Sequence, residues 1–283
     1  MPASTDNGPV FDFGINGYQP QWHHSLAQVA VTHGTRLAHL AGRTLTHTWL
    51  VWDNDADRWF PDGPVLLDFD GEQLEINHQR LDAVSVTWNT INTATPVRWP
   101  GTDLNLRWHD GLQAGLHGQR LDTVELLEWT SADLARGTVA LTFTLAAQQL
   151  TIYNALDENG LSYTPPDPRY RRLRLYTTSS PAHNAVELED LPLLRDLLDA
   201  GADVEDDDGT GWTLLHHALD AEHDGHVQTG KPLHADTTAL LLARGADPLR
   251  ARNGVTALAE AQRCGHWLAA EIMQAWIERH QTA

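Results

Sequence analysis

Leu197-Leu198-Asp199-Ala200-Gly201-Ala202-Asp203 and Leu241-Leu242-Ala243-Arg244-Gly245-Ala246-Asp247 answer each other across the C-terminal third of this 283-residue chain. In each, a leucine pair closes an apolar run, and a glycine follows where a left-handed residue ends a helix at little steric cost. Upstream of the first copy, Leu194, Leu197 and Leu198 fall on one face at helical spacing. A second pair of segments, Gly211-Trp212-Thr213-Leu214-Leu215-His216-His217-Ala218 and Gly254-Val255-Thr256-Ala257-Leu258-Ala259-Glu260-Ala261, predicts a turn that feeds a helix.

These four segments resemble the two signatures of an ankyrin repeat. Gly211 to Ala218 follows its GxTPLHxA turn, with Leu214 in the proline position, and the LLxxGAD pattern follows the close of its second helix. The copy at Gly254 is degenerate, because Ala259 stands where the histidine belongs. The resemblance implies an ankyrin-type α-solenoid of about three repeats over 182–283, closed by a helix from Trp267 to Ile277 that presents Ile272, Met273 and Trp276. From Gly201 to Gly245 is 44 residues, so against a period of about 33 the middle repeat carries an insertion near 225–235, which its glycines and proline predict to be a loop. The resemblance further implies a protein-binding module that makes contact through its turn tips, Val204 to Gly211 and Asp247 to Asn253.

The other half reads differently. Asp70 to Val84 and Asp110 to Val124 are identical at eight of fifteen positions. Each copy has an Asp-Gly pair that predicts a hairpin turn, then Gln-Arg-Leu-Asp. Thr44 to Trp52 is rich in β-formers. Residues 1–164 are therefore expected to form a mainly β domain with a duplicated hairpin unit, and 165–181, punctuated by proline and Ser/Thr runs, a linker. The fold class expected is α+β in two domains. Arg169, Arg171, Arg172 and Arg174 make the dense basic run of the chain, and pairing with its own carboxylates is the expectation for them.

Composition removes several function classes. The formal net charge is −19, with 38 acidic against 19 basic residues, which disfavours nucleic-acid binding and favours a cationic partner. The residues from Met1 to Pro20 do not read as a signal peptide and no apolar run is long enough to span a bilayer, so a cytoplasmic protein with no membrane partner is expected. Cys264 is the single cysteine, which excludes an intramolecular disulfide. There is no glycine-rich phosphate loop and no GxSxG elbow. His223 and His226 have HxxH spacing with His234 nearby, but a mobile insertion is a poor platform for a metal, so neither a metal nor a cofactor is expected.

The function expected is therefore binding without catalysis. In general architecture the chain resembles bacterial immunity proteins that neutralise secreted toxins, which implies a basic toxin such as a nuclease held by acidic surfaces. The candidate contact residues are Asp53, Asp55, Asp57 and Asp62 in one half, and Glu205, Asp206, Asp207, Asp208 and Trp212 in the other. Two alternatives stand beside this one: a metal-dependent or hydrolytic enzyme whose repeats recruit substrate, and a scaffold or adaptor.

Overall fold

The computed structural model describes residues 13–112, 115–146, 148–207, 209–252 and 254–281. Its contacts divide the chain into two compact units, Met1–Leu26 with Leu40–Arg174, and Ala27–His39 with Leu175–Ala283.

The first unit is built from two antiparallel sheets. Strands β1 (Trp22–His23), β2 (Leu45–Asp53), β3 (Arg58–Trp59), β4 (Val65–Phe69), β5 (Glu72–Gln79) and β6 (Ala83–Trp88) run in the order β1-β6-β5-β4-β2-β3, and β7 (Leu106–Asp110) also pairs with β2. The second sheet holds β8 (Leu121–Trp129), β9 (Val139–Leu145), β10 (Gln148–Asn154), β11 (Asn159–Ser162) and β12 (Tyr170–Arg174) in the order β11-β10-β9-β8-β12. Strand β5 packs on β10 and β11, and β6 on β9. Between the sheets Phe69 and Phe143 are fully buried with ring centroids 6.0 Å apart. Each such ring contributes roughly 1.5–3 kcal/mol by leaving water.

Two polar side chains in this interior are closely partnered. Asn159 at the start of β11 donates from Nδ2 to the carbonyls of Pro61 (3.0 Å) and Gly63 (2.9 Å), while its Oδ1 accepts from the backbone N–H of His78 (3.0 Å). Glu75 is fully buried and accepts from Thr87 Oγ1 and from the N–H groups of Thr90 and Ile91, which closes the chain after β6.

The second unit is mostly helical. Helix α1 (Leu26–Ala38) enters it from Ala27 onward, and is followed by α2 (Pro181–Glu187), α3 (Leu191–Asp199), α4 (Leu214–Thr229), α5 (Asp236–Ala243), α6 (Ala257–Cys264) and α7 (Trp267–Gln281). Between α5 and α6 lies the hairpin β13 (Ala251–Arg252) and β14 (Val255–Thr256). Helix α2 packs on α3 and α4, α4 on α5 and α6, and α7 on α5 and α6. Gly34 lets α1 come close to this stack, since a Cβ there would lie 3.1 Å from Pro181 Cγ.

A carboxylate ties three of these helices together. Glu222 of α4 is fully buried, and its Oε1 accepts from the N–H groups of Thr237 (2.9 Å) and Thr238 (3.1 Å) in the first turn of α5. Its Oε2 accepts from Thr238 Oγ1 at 2.7 Å and lies 3.4 Å from Nε2 of the fully buried His266. His266 Nδ1 accepts from Ala269 N–H at 3.2 Å, so the imidazole proton sits on Nε2, close to Glu222 but without a well-aligned hydrogen bond to it.

These observations correct the expected α+β class with a C-terminal α-solenoid. The C-terminal region is mixed: helices of 7 to 16 residues alternate with a β hairpin, and a helix from far upstream joins them. The expected loop at 225–235 is half helix, because α4 runs through Gly225 and stops only at Gly230, which takes a left-handed φ of 67°. A mid-helix glycine costs only about 1 kcal/mol relative to alanine, and the interior contacts of α4 outweigh it.

The duplicated hairpin is corrected as well. Asp70-Gly71 turns β4 into β5, and Arg80 sits in the turn between β5 and β6 with φ 55°. The second copy makes no such hairpin, since β7 pairs with β2 and Gln119 to Asp122 leads into β8. Sequence identity is preserved there while strand partners differ, because pairing depends on what lies across the sheet. The expected linker also contains β12, whose Arg171 and Arg172 pair with Glu128 and Glu125.

Candidate functional site

The turns of the helical unit carry two clefts. Ser180 caps α2, accepting from His183 N–H (3.3 Å), and Asp190 caps α3, accepting from Leu193 N–H (3.0 Å). Gly201, with φ 101°, ends the α3 segment and sends the chain into the turn. There Asp203 Oδ1 accepts from Glu205 N–H at 2.9 Å. The result is a groove of about 270 Å³ with Ala30 and Val31 of α1, Pro181 and Leu197 as walls, and Asp203 and Asp206 as its acidic residues. No lysine or arginine lines it among the described residues.

His183 joins this groove to the next cleft. It is fully buried, its Nε2 lies 3.2 Å from the Trp212 carbonyl and its Nδ1 2.9 Å from Ser180 Oγ. A carbonyl only accepts, so the proton is on Nε2 and the Ser180 hydroxyl donates to Nδ1. The hydroxyl thus serves as a cap, which is a structural task and not that of a nucleophile. Asp206 Oδ2 stands 3.7 Å from the same Nδ1.

Beyond Trp212 the charge reverses. A cleft of about 290 Å³ is lined by Trp212, His216, Arg252, Val255, Glu260 and Arg263. The hairpin β13–β14 carries Arg252 over the indole, with Cζ 4.3 Å from the ring centroid. Such a stack contributes about 0.5–1 kcal/mol at a solvated site. Burial pushes the His216 imidazole below its usual range, and its Nδ1 lies 2.9 Å from Thr213 Oγ1. Arg263 grips Glu260 with two hydrogen bonds and holds that carboxyl below the usual glutamate range.

The acidic residues singled out from sequence are distributed otherwise. Asp53 is buried, and its Oδ1 accepts from the N–H groups of Asp55 (3.0 Å) and Ala56 (3.2 Å), shaping the turn after β2. Asp55 accepts from Asn105 Nδ2 (3.1 Å), and Asp57 from Trp52 Nε1 (3.1 Å). Partial burial, with Asp157 nearby, raises the Asp62 carboxyl above its usual range. Glu205 accepts from Asp247 N–H (2.6 Å) and pairs with Arg250 (3.1 Å), and Asp207 caps Gly209 N–H and faces the same arginine at 3.6 Å. Asp208 lies outside the described residues. Among the described candidates, Asp206 lines the first of these clefts and Trp212 the second.

Sequence reasoning missed Asp203, Arg252, Arg263 and the α1 wall. Asp203 was visible only as the end of a helix-closing motif, and the contribution of α1 joins residues some 150 positions apart with no local signal. His226 is in α4 with Nδ1 2.5 Å from the Lys231 carbonyl, and His234 faces Glu189 at 3.3 Å. Among the described residues no group of three or more His, Cys, Asp or Glu side chains is placed to hold a metal ion. Among them, too, no helix is long and apolar enough to cross a membrane.

No known family matches the chain, and no curated protein matches it. Among solved structures it is similar to an ankyrin repeat domain from Acinetobacter baumannii, at 25% identity over 40% of this chain with a TM-score of 0.31. The match spans about half, 53%, of that domain's length.

Proposed function

We propose that this protein acts by binding a partner protein, and that the groove at Asp203 and Asp206 takes a basic side chain of that partner. The groove itself carries the reading: aliphatic walls from α1 and α3 suit the methylene stem of a lysine or arginine, and two carboxylates suit its head. A net charge of −19 adds long-range attraction for a cationic protein and speeds its association. The finer form of the proposal is a cytoplasmic immunity protein that blocks a basic toxin, in which the toxin's arginine or lysine fills this groove.

A photo-crosslinking residue at Val31, introduced in the native host, tests the proposal. Capture of a protein with a basic surface is expected, and the double variant Asp203→Asn, Asp206→Asn should abolish it. Asparagine keeps the oxygen that accepts from Glu205 N–H, so the turn survives while the charge is lost. Equal capture by the double variant would overturn the assignment of the groove. Protection of cells against the captured protein tests the immunity reading separately.

A further inference from the structure

We propose that the cleft between Trp212, Arg252 and Arg263 is a second recognition site, one that binds a carboxylate of an acidic peptide. This rests on the binding reading above but on none of the residues of the acidic groove.

The charge count within the cleft selects the ligand. Its lining holds two guanidinium groups, of Arg252 and Arg263, and one carboxylate, of Glu260, which Arg263 already grips at both oxygens. His216 is buried and held neutral, so it adds no charge. On the neighbouring turn Glu205 and Asp207 face Arg250. Among the described residues the lining of the cleft carries a formal charge of +1, two guanidinium groups against one carboxylate, in a chain of net charge −19. A carboxylate monoanion balances that charge; a phosphate dianion overshoots it.

Hydrogen-bonding capacity points the same way. Arg252 Nε and Trp212 Nε1 are enclosed donors that meet no acceptor among the described residues. Both lack what a carboxylate supplies, since it offers two oxygens and accepts only. Arg252 stacks on the indole, and among the described residues no ion pair of its own competes with an incoming anion. A carboxylate arriving from solvent draws the guanidinium edge outward, so that Nε gains an acceptor. Val255, which is 40% exposed, offers an apolar lip for the methylenes that carry a glutamate head. Glutamate within a peptide is therefore the preferred ligand over a bare small acid.

The full chain, labelled with nitrogen-15, reports binding through the indole N–H resonance of Trp212, assigned by its loss in Trp212→Phe. The probes are acetyl-Gly-Glu-Gly-amide, the same peptide with Gln in place of Glu, and inorganic phosphate. The glutamate peptide is expected to shift the resonance saturably, the glutamine peptide to leave it in place, and phosphate to act only at higher concentration. Arg252→Gln should weaken the glutamate peptide at least tenfold. Arg263→Gln, at an exposed position that leaves the stack intact, should weaken it as well, because Glu260 then stands unpaired beside the ligand. No saturable shift in the wild type, wild-type affinity in both arginine variants, or tighter binding of phosphate than of the peptide would each overturn the proposal. Because the probe carries no basic group, its failure leaves the reading of the Asp203 and Asp206 groove untouched.

Discussion

Glu222→Gln changes one oxygen into an NH₂ at the point where α4, α5 and α7 meet. The Oε1 position keeps its two backbone partners, the N–H groups of Thr237 and Thr238. The other position then presents N–H donors to His266 Nε2, which itself carries a proton because Nδ1 is occupied by Ala269 N–H. Two donors face each other in a site that water does not reach, since both side chains are fully buried. Leaving a buried donor unsatisfied costs about 1–3 kcal/mol. For a unit of this size that corresponds to a fall in Tm of roughly 4 °C per kcal/mol, or about 4–12 °C. Differential scanning calorimetry on the full chain, with urea denaturation as a second measure, reads the change. Glu222→Ala should cost more, about 3–5 kcal/mol, because it also uncovers the α5 N–H groups. If Glu222→Gln unfolds within about 0.5 kcal/mol of the parent, the argument that this carboxylate clasps the helices fails.

Two further outcomes test other parts of the molecule. Asn159→Ala removes the donor to the Pro61 and Gly63 carbonyls and the acceptor of His78 N–H, and should destabilise the β unit by about 2–4 kcal/mol in urea denaturation; a change below about 0.5 kcal/mol would contradict its structural role. His216 is held below its ordinary value by burial, so the unfolded chain takes up the proton first: its contribution to stability is complete above about pH 6.5 and is lost as pH falls below that value toward the folded-state pKa. His216→Gln should flatten the pH dependence of the unfolding midpoint in this window, and an unchanged slope would show that His216 does not carry it.

Features governed by neighbours in the chain were legible in the sequence. Gly201 and Gly245 take φ of 101° and 94° where the leucine pairs end, because the need for a residue without Cβ at a helix end is set within a few positions. Arg171 and Arg172 find carboxylates on the adjacent strand, as a basic run in an acidic protein is expected to.

Tertiary structure decided the rest. Asp70 to Val84 and Asp110 to Val124 are alike in sequence and unlike in pairing, since a strand is defined by its partner across the sheet. The acids of the turn after β2 read as a free charged loop, yet Asp53 is buried and holds that turn, because a carboxylate beside backbone N–H groups is better satisfied by them than by water once the chain is folded. Helix α1 supplies a wall of the acidic groove from some 150 residues upstream. Composition established how much charge the chain carries; only the folded backbone determined which carboxylates and arginines were left to face a cleft, because burial and hydrogen bonding are assigned between residues far apart in sequence.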